Sequence, residues 1–341
     1  MEKKSIFSKQ YIAVLVFTIA AVVAFFVMKP TRKTFLKTQG EVWTTEYHIT
    51  YEASADLTDS INAVLDSIDR SANVFNKQSL VSRLNCNSTN RVDGIFTRMF
   101  ECAIKINKES DGAYDPTVMP LVNAWGFGYK NGQLPTKTQI DSLLAFVGIS
   151  KVHLEDERLV KSDIRTQFDF SSIAKGLACD EVARMLARNG VENCMVEIGG
   201  EVVSKGVNEK GTPWNISIDM PVENNKATVH ESALVIALNG KAVATSGNYR
   251  KYKEVEGKKV SHIVNPKTGY SEESTLLSAT VVAADCMTAD AWATACMAMG
   301  TQRTQAMFEK RSDLGVMTIS TDAEGNFIVW SNKPFAALRP K

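Results

Sequence analysis

The residues best placed for chemistry fall in four short segments where small and polar side chains interrupt apolar sequence, a composition that lets a backbone approach a phosphate or a metal closely. The first is GAYDPT at 112–117, running on to WGFG at 125–128. Alone, Asp115-Pro116 is a turn signal. The second, DFSSIAKG at 169–176, reads as a helix entrance whose free N–H groups and positive dipole end suit an anion, with Lys175 adding a point charge. A capped helix with a solvated lysine has the same sequence signature. The third is ATSG at 244–247 with SHIVNPKTG downstream at 261–269. His262, one of four histidines with His48, His153 and His230, stands just before a Pro-Lys-Thr-Gly turn. The fourth is DCMTADAWAT at 285–294. On a helix Asp290 and Thr294 are one turn apart and face the same way, offering a carboxylate and a hydroxyl to one hard cation. Two oxygen ligands completed by phosphates and waters is an economical way to hold Mg²⁺, although an Asp/Thr pair at this spacing also arises by chance.

Other chemistries lack their signatures. The chain has no H-E-x-x-H, no G-x-S-x-G and no G-K-[ST] phosphate loop, and Gly126, Gly128 and Gly132 miss the spacing of a dinucleotide fingerprint. Six cysteines (Cys86, Cys102, Cys179, Cys194, Cys286, Cys296) are scattered without a C-x-x-C, so neither a zinc site nor a redox motif is indicated. With 39 Lys+Arg against 38 Asp+Glu the formal charge is +1, which gives no broad positive field for nucleic acid.

The elements that must hold these segments follow from periodicity. Strands are predicted over 42–51, 194–198, 214–218, 233–238, 275–283 and, as a closing hairpin, 315–320 with 326–330. Helices are predicted over 56–74, 94–110, 134–146, 169–187 and 285–299, with Asn189-Gly190 supplying C-cap chemistry for the fourth. Strands and isolated helices without regular β-α alternation favour an α+β fold: one large two-lobed domain at 40–335, with mixed or antiparallel sheets and flanking helices.

Ahead of it lies an uncharged, almost wholly apolar run at 11–28, flanked by Lys3, Lys4 and Lys9 and by Lys29, Arg32 and Lys33. As a helix it reaches about 27 Å, enough to cross the hydrocarbon core of a bilayer. No small-x-small cleavage site follows squarely and no lipid-accepting Cys is present, so an uncleaved transmembrane anchor is expected, with 1–10 as a cytoplasmic tail and 29–39 as a basic linker.

In this order the four segments resemble the FAD:protein FMN transferase family, the ApbE-type flavin transferases. The likeness extends to Phe75 with SRLN at 82–85, PLVN at 120–123, VEN at 191–193, IGG at 198–200, NPKTG at 265–269 and ADA at 289–291, and so covers roughly residues 40–330. The resemblance implies Mg²⁺-dependent transfer of the FMN half of FAD, through a phosphoester bond, to a Thr or Ser hydroxyl of an acceptor flavoprotein, with AMP released. The acceptors it implies are subunits of membrane electron-transfer complexes, which with the apolar run places the domain on the extracytoplasmic side of a bacterial inner membrane. By position, Asp290, Thr294 and the main-chain carbonyl of Ser172 match metal ligands. Ala113, Tyr114, Asp115, Asp169, Lys175 and Val264 match FAD contacts, and His262 matches the catalytic histidine.

The chain departs from the family in three places. Trp43-Thr44-Thr45 replaces a frequent Met-Gly-Thr, which alters the flavin contact expected of Trp43. Asn76-Lys77-Gln78 follows Phe75 where a longer loop with an aromatic is common. Asp169-Phe-Ser-Ser172 replaces Asp-Leu-Gly-Gly, a change that a carbonyl ligand tolerates. Two other functions share these residues: hydrolysis of FAD to FMN and AMP, and non-catalytic, membrane-tethered FAD binding.

Overall fold

Alternation of side chains at period two dominates the second half of the chain, and in three dimensions it builds one sheet with an apolar core on each face. The computed structural model describes residues 14, 17–18, 33–128, 134–221, 232–248, 252–255, 258–270 and 275–340. Its strands are β1 (Thr34–Val42), β2 (Thr45–Ala53), β3 (Val152–Glu155), β4 (Arg158–Lys161), β5 (Cys194–Ile198), β6 (Glu201–Lys205), β7 (Trp214–Asp219), β8 (Ser232–Leu238), β9 (Ala242–Gly247), β10 (Tyr252–Val255), β11 (Lys258–Ser261), β12 (Leu276–Ala283), β13 (Gly315–Thr321) and β14 (Phe327–Ser331). Eight of them form a sheet in the order β1-β2-β5-β6-β9-β12-β13-β14, antiparallel at every pairing. The pairs β3–β4, β7–β8 and β10–β11 are separate hairpins.

The helices are α1 (Thr58–Ala72), α2 (Leu80–Asn85), α3 (Gly94–Glu109), α4 (Met119–Ala124), α5 (Lys137–Leu144), α6 (Ala174–Arg188), α7 (Cys286–Phe308) and α8 (Lys333–Ala336). Helix α7 lies on β9 and β12, and α6 packs against α7, α1 and β5. Their core takes Ala242, Ala244, Ala279, Val281 and Ala283 from the sheet, while Val243, Val282, Met317 and Ile319 point to the opposite face. There the β7–β8 hairpin and Phe335 of α8 cover them. The single α+β domain expected from sequence is thus built on one large antiparallel sheet covered on both sides.

Three expectations are corrected. The basic linker expected at 29–39 carries strand β1 from Thr34 onward; as an edge strand whose one strand neighbour among the described residues is β2, it tolerates the polar Lys37, Thr38 and Gln39 that hide its pattern. The helix expected from Asp169 starts at Ala174, because the Asp169 carboxylate accepts from the backbone N–H of Ser171 at 2.8 Å and its hydroxyl at 2.5 Å, closing a turn that competes with helix. The helix expected to end at Met299 is broken there, at Gly300 (φ 73°, ψ 177°), and resumes to Phe308. The predicted membrane span at 11–28 lies outside the described residues apart from positions 14, 17 and 18, and among the described residues no helix is long and apolar enough to cross a membrane.

The close approach of α6 to α7 depends on Gly176. A Cβ there would lie 2.4 Å from the Cys286 carbonyl oxygen and 2.9 Å from Asp290 Cβ, both on or beside rigid backbone. Gly176→Ala must therefore push the helices apart, and we expect a loss of about 1–3 kcal/mol or more in urea denaturation. An unchanged midpoint would contradict this contact.

Candidate active site

The second and fourth segments meet at the α6–α7 crossing. Asp290, 3% exposed, sits on α7 with Oδ2 accepting the Gly176 N–H at 3.1 Å; Oδ1 accepts from no donor among the described residues. One turn on, the Thr294 hydroxyl lies 3.2 Å from that of Ser246, which brings in the ATSG segment at the end of β9. Ser172 occupies the turn before α6 and donates its hydroxyl to Tyr114 OH at 3.1 Å, so the first segment joins at the buried Tyr114.

A third acidic or basic element completes the cluster from β6. Lys175 Nζ donates to Glu201 Oε2 at 2.5 Å, and Glu201 is only 2% exposed. The turn before β6 uses Gly199 and Gly200 at φ 62° and 98°, and a Cβ on Gly199 would fall 2.9 Å from Thr45 and 3.4 Å from Lys175 Cδ. The tip of the β1–β2 hairpin therefore lies at the same place. Trp43 and Thr44 form that tip at φ 50° and 63°, a conformation that favours Asn and Gly, and the Trp43 indole N–H donates to Asp69 Oδ1 at 3.0 Å.

The loop at 262–270 approaches from the side of the first segment. The His262 ring stands edge-on to Phe127, centroids 6.3 Å apart; Trp125 Nε1 donates to the Gly269 carbonyl at 2.8 Å; and Lys267 pairs with Asp111 at 2.8 Å. Val264 is buried in the main core beneath. Of the residues singled out from sequence, Ser172 is bonded to Tyr114, Lys175 to Glu201, Asp290 to the Gly176 N–H and Thr294 to Ser246, and these pairs gather around the α6–α7 crossing. Ala113 is buried beside Tyr114, and His262 and Val264 belong to the neighbouring loop. The carboxylates of Asp115 and Asp169 work locally. Asp115 accepts from Thr117 N (2.9 Å), Thr117 Oγ1 (2.6 Å) and Ile149 N (2.8 Å), which pins the loop.

Burial dominates the electrostatics. It pushes the Asp290 carboxyl above the usual range, opposed by the charge of Lys175 and the Gly176 N–H. Burial likewise raises Glu201 above the usual carboxylate range, with the charge of Lys175 pulling the other way. For Lys175 burial works against the ammonium, but Glu201 and Asp290 outweigh it and the net shift is upward. Burial also raises the Tyr114 phenol, and the nearby Asp290 and Asp169 charges add to the effect. One cation faces two carboxylates, and Lys175 is already bonded to Glu201. A hard cation at Asp290 Oδ1 and the Thr294 hydroxyl would supply the missing charge, so the donor set fits Mg²⁺. Among the described residues no cluster of three or more His, Cys, Asp or Glu side chains could hold a metal. A site here would draw on a hydroxyl and the Ser172 carbonyl instead.

Sequence reasoning missed Glu201. Glu201 carried a signal, a lone acid between the apolar Ile198 and Val202 with only two glycines beside it. Phe75, part of the resemblance, is 61% exposed, and its N–H is held by Asn73 Oδ1 at 2.9 Å. Asn73 and Asn76 both donate to Asp69, the residue that holds Trp43.

Comparison with known proteins gives a consistent picture. The ApbE family model matches residues 43–318. The FAD:protein FMN transferase of Haemophilus influenzae is 35% identical over 316 residues, covering 88% of this chain and 90% of that protein. The FAD:protein FMN transferase of Vibrio cholerae is 36% identical over 305 residues, covering 86% and 90%. Among solved structures, the flavin transferase ApbE from Vibrio cholerae superposes with a TM-score of 0.79 at 34% identity, covering 90% of this chain and 99% of that one. The apo flavinyl transferase ApbE of Pseudomonas stutzeri superposes at 0.80 with 30% identity, covering 91% and 98%.

The Asp115 contacts make a direct prediction. Asp115→Ala removes the acceptor of Thr117 N, Thr117 Oγ1 and Ile149 N, and of Asn107 Nδ2, which keeps the Tyr114 carbonyl; we expect a loss of roughly 3 kcal/mol in chemical denaturation, since each buried unmet donor costs about 1–3 kcal/mol. A loss within about 0.5 kcal/mol, ordinary for a surface change, would show that the loop is held elsewhere.

Proposed function

The chain belongs to the ApbE family and is a flavin transferase, and from that premise we propose that it moves the FMN half of FAD onto a Thr or Ser hydroxyl of an acceptor flavoprotein, releasing AMP in a Mg²⁺-dependent reaction. The observation that carries this reading is the Lys175–Glu201–Asp290 cluster, whose two buried carboxylates leave it one positive charge short of balance, beside the hydroxyl of Thr294. Asp290, Thr294 and the Ser172 carbonyl would hold the ion, which when bound offsets the charge of a pyrophosphate.

The remaining work falls to the chain's own groups. Lys175 supplies a fixed positive charge at the mouth of α6, where N–H groups and the helix dipole already favour phosphate. Trp43 and Phe75, held through Asp69 and its asparagine partners, present aromatic surface for a planar ring. His262 accepts the proton of the acceptor hydroxyl, suited by an imidazole's ordinary pKa of about 6.5. The acceptor oxygen then bonds to the FMN-side phosphorus, and the bond from that phosphorus to the oxygen of the AMP phosphate breaks. The apolar run at 11–28 would tether the domain on the extracytoplasmic face of the membrane, near acceptor subunits of membrane electron-transfer complexes.

Incubation with FAD, Mg²⁺ and an acceptor peptide, followed by mass measurement, tests the reaction class. Transfer adds the mass of FMN to the peptide; free FMN with an unmodified peptide would mean hydrolysis instead. In that assay His262→Ala is expected to lower transfer roughly 10²- to 10⁴-fold while FAD binding persists. Equal rates would remove His262 from the base role. Asp290→Ala is expected to abolish Mg²⁺-dependent turnover, and retained activity would place the metal elsewhere.

A further inference from the structure

A carboxylate buried against a lysine is a costly way to fill space, since apolar side chains of similar volume usually serve stability as well or better. Lys175 and Glu201 are such a pair on the acid's side, with the side chain of Glu201 3% and that of Lys175 32% exposed, and they sit beside the buried Asp290, whose Oδ1 has no protein donor among the described residues. The backbone fixes this arrangement from two sides. Gly176, the next residue after Lys175, gives its N–H to Asp290, which holds α6 at the carboxylate. Cys179, one turn further along α6, gives its thiol to the Glu201 carbonyl at 3.2 Å, which holds β6 against the same helix. Between these anchors the Lys175 ammonium is bonded to Glu201, although the field of Asp290 also acts on it. Were Glu201 neutral, Asp290 would be the remaining carboxylate among the three for that ammonium to join.

We propose that Glu201 is a positioning residue that keeps the Lys175 ammonium off Asp290, so that the Asp290 carboxylate stays available to a divalent cation. This rests on the reading of Asp290 as a cation ligand. It assigns to Glu201 no contact with substrate: its effect passes through Lys175.

The test is Mn²⁺ binding to the full-length protein without FAD, followed by electron paramagnetic resonance of the free ion, with circular dichroism to verify folding. Glu201→Gln is expected to weaken Mn²⁺ roughly tenfold or more, because a freed ammonium then competes for Asp290 at short range. Lys175→Met is expected to bind Mn²⁺ at least as tightly as wild type, and the Lys175→Met/Glu201→Gln double variant is expected to return to within about threefold of wild type, since the competitor is gone. A merely structural role for Glu201 gives no such rescue. Wild-type affinity in Glu201→Gln, or a double variant as weak as the single one, overturns the proposal. If Glu201→Gln does not fold, weaker binding by Lys175→Met overturns it instead. Asp290→Ala separates the premise: if that variant keeps wild-type affinity, the cation assignment fails and the proposal with it, whereas lost binding there with unchanged Glu201→Gln sinks the proposal alone.

Discussion

A carboxylate taken out of water must find donors, a counter-charge or a proton, and the placement of Asp290 makes that requirement the organising constraint of this protein. Among the described residues only one backbone N–H reaches it, that of Gly176, and it does so because glycine lets α6 come against α7 with no Cβ between them. The same approach sets Lys175 at the crossing and so calls for Glu201 on β6. The sheet behind contributes small residues, Ala242, Ala244, Ala279 and Ala283, that let α7 lie close enough to bury its first turns. Fold and site therefore share one set of contacts, and loosening the helix pair would disturb both.

Around that crossing the loops divide the labour. The loop at 112–117 spends its acid on its own backbone and offers Tyr114 to Ser172, which fixes the turn entering α6. The loop at 262–270 is fastened to the WGFG segment by Trp125 and to Asp111 by Lys267, holding His262 on a braced surface. The β1–β2 tip is held in a backbone conformation unusual for Trp and Thr, with Asp69 taking the indole N–H. Such local strain persists only where surrounding contacts outweigh it, and here it sits beside the cluster.

Much of this was legible in sequence. The four segments are recognisable because close backbone approach demands glycine, alanine and serine next to the charged groups, and these requirements leave a local mark. The α+β class was legible from strand alternation, and the ordered motifs carried the family. What stayed hidden was set by distance in the chain. Glu201 pairs with Lys175 across 26 positions, and nothing local says which lysine an acid in a strand will meet. Strand β1 was hidden because an edge strand need not be apolar. The start of α6 was displaced because Asp169 satisfies Ser171 rather than a helix, a competition between two local hydrogen-bond patterns that composition alone does not resolve.

The central claim is that the cation and the pyrophosphate of FAD come together at the α6–α7 crossing. A crystal structure with FAD and Mn²⁺, with the ion located by its anomalous scattering, tests it most directly. The account predicts the anomalous peak at Asp290 Oδ1 and the Thr294 hydroxyl with the diphosphate beside it. A peak elsewhere, or a diphosphate lying away from α7, would contradict it.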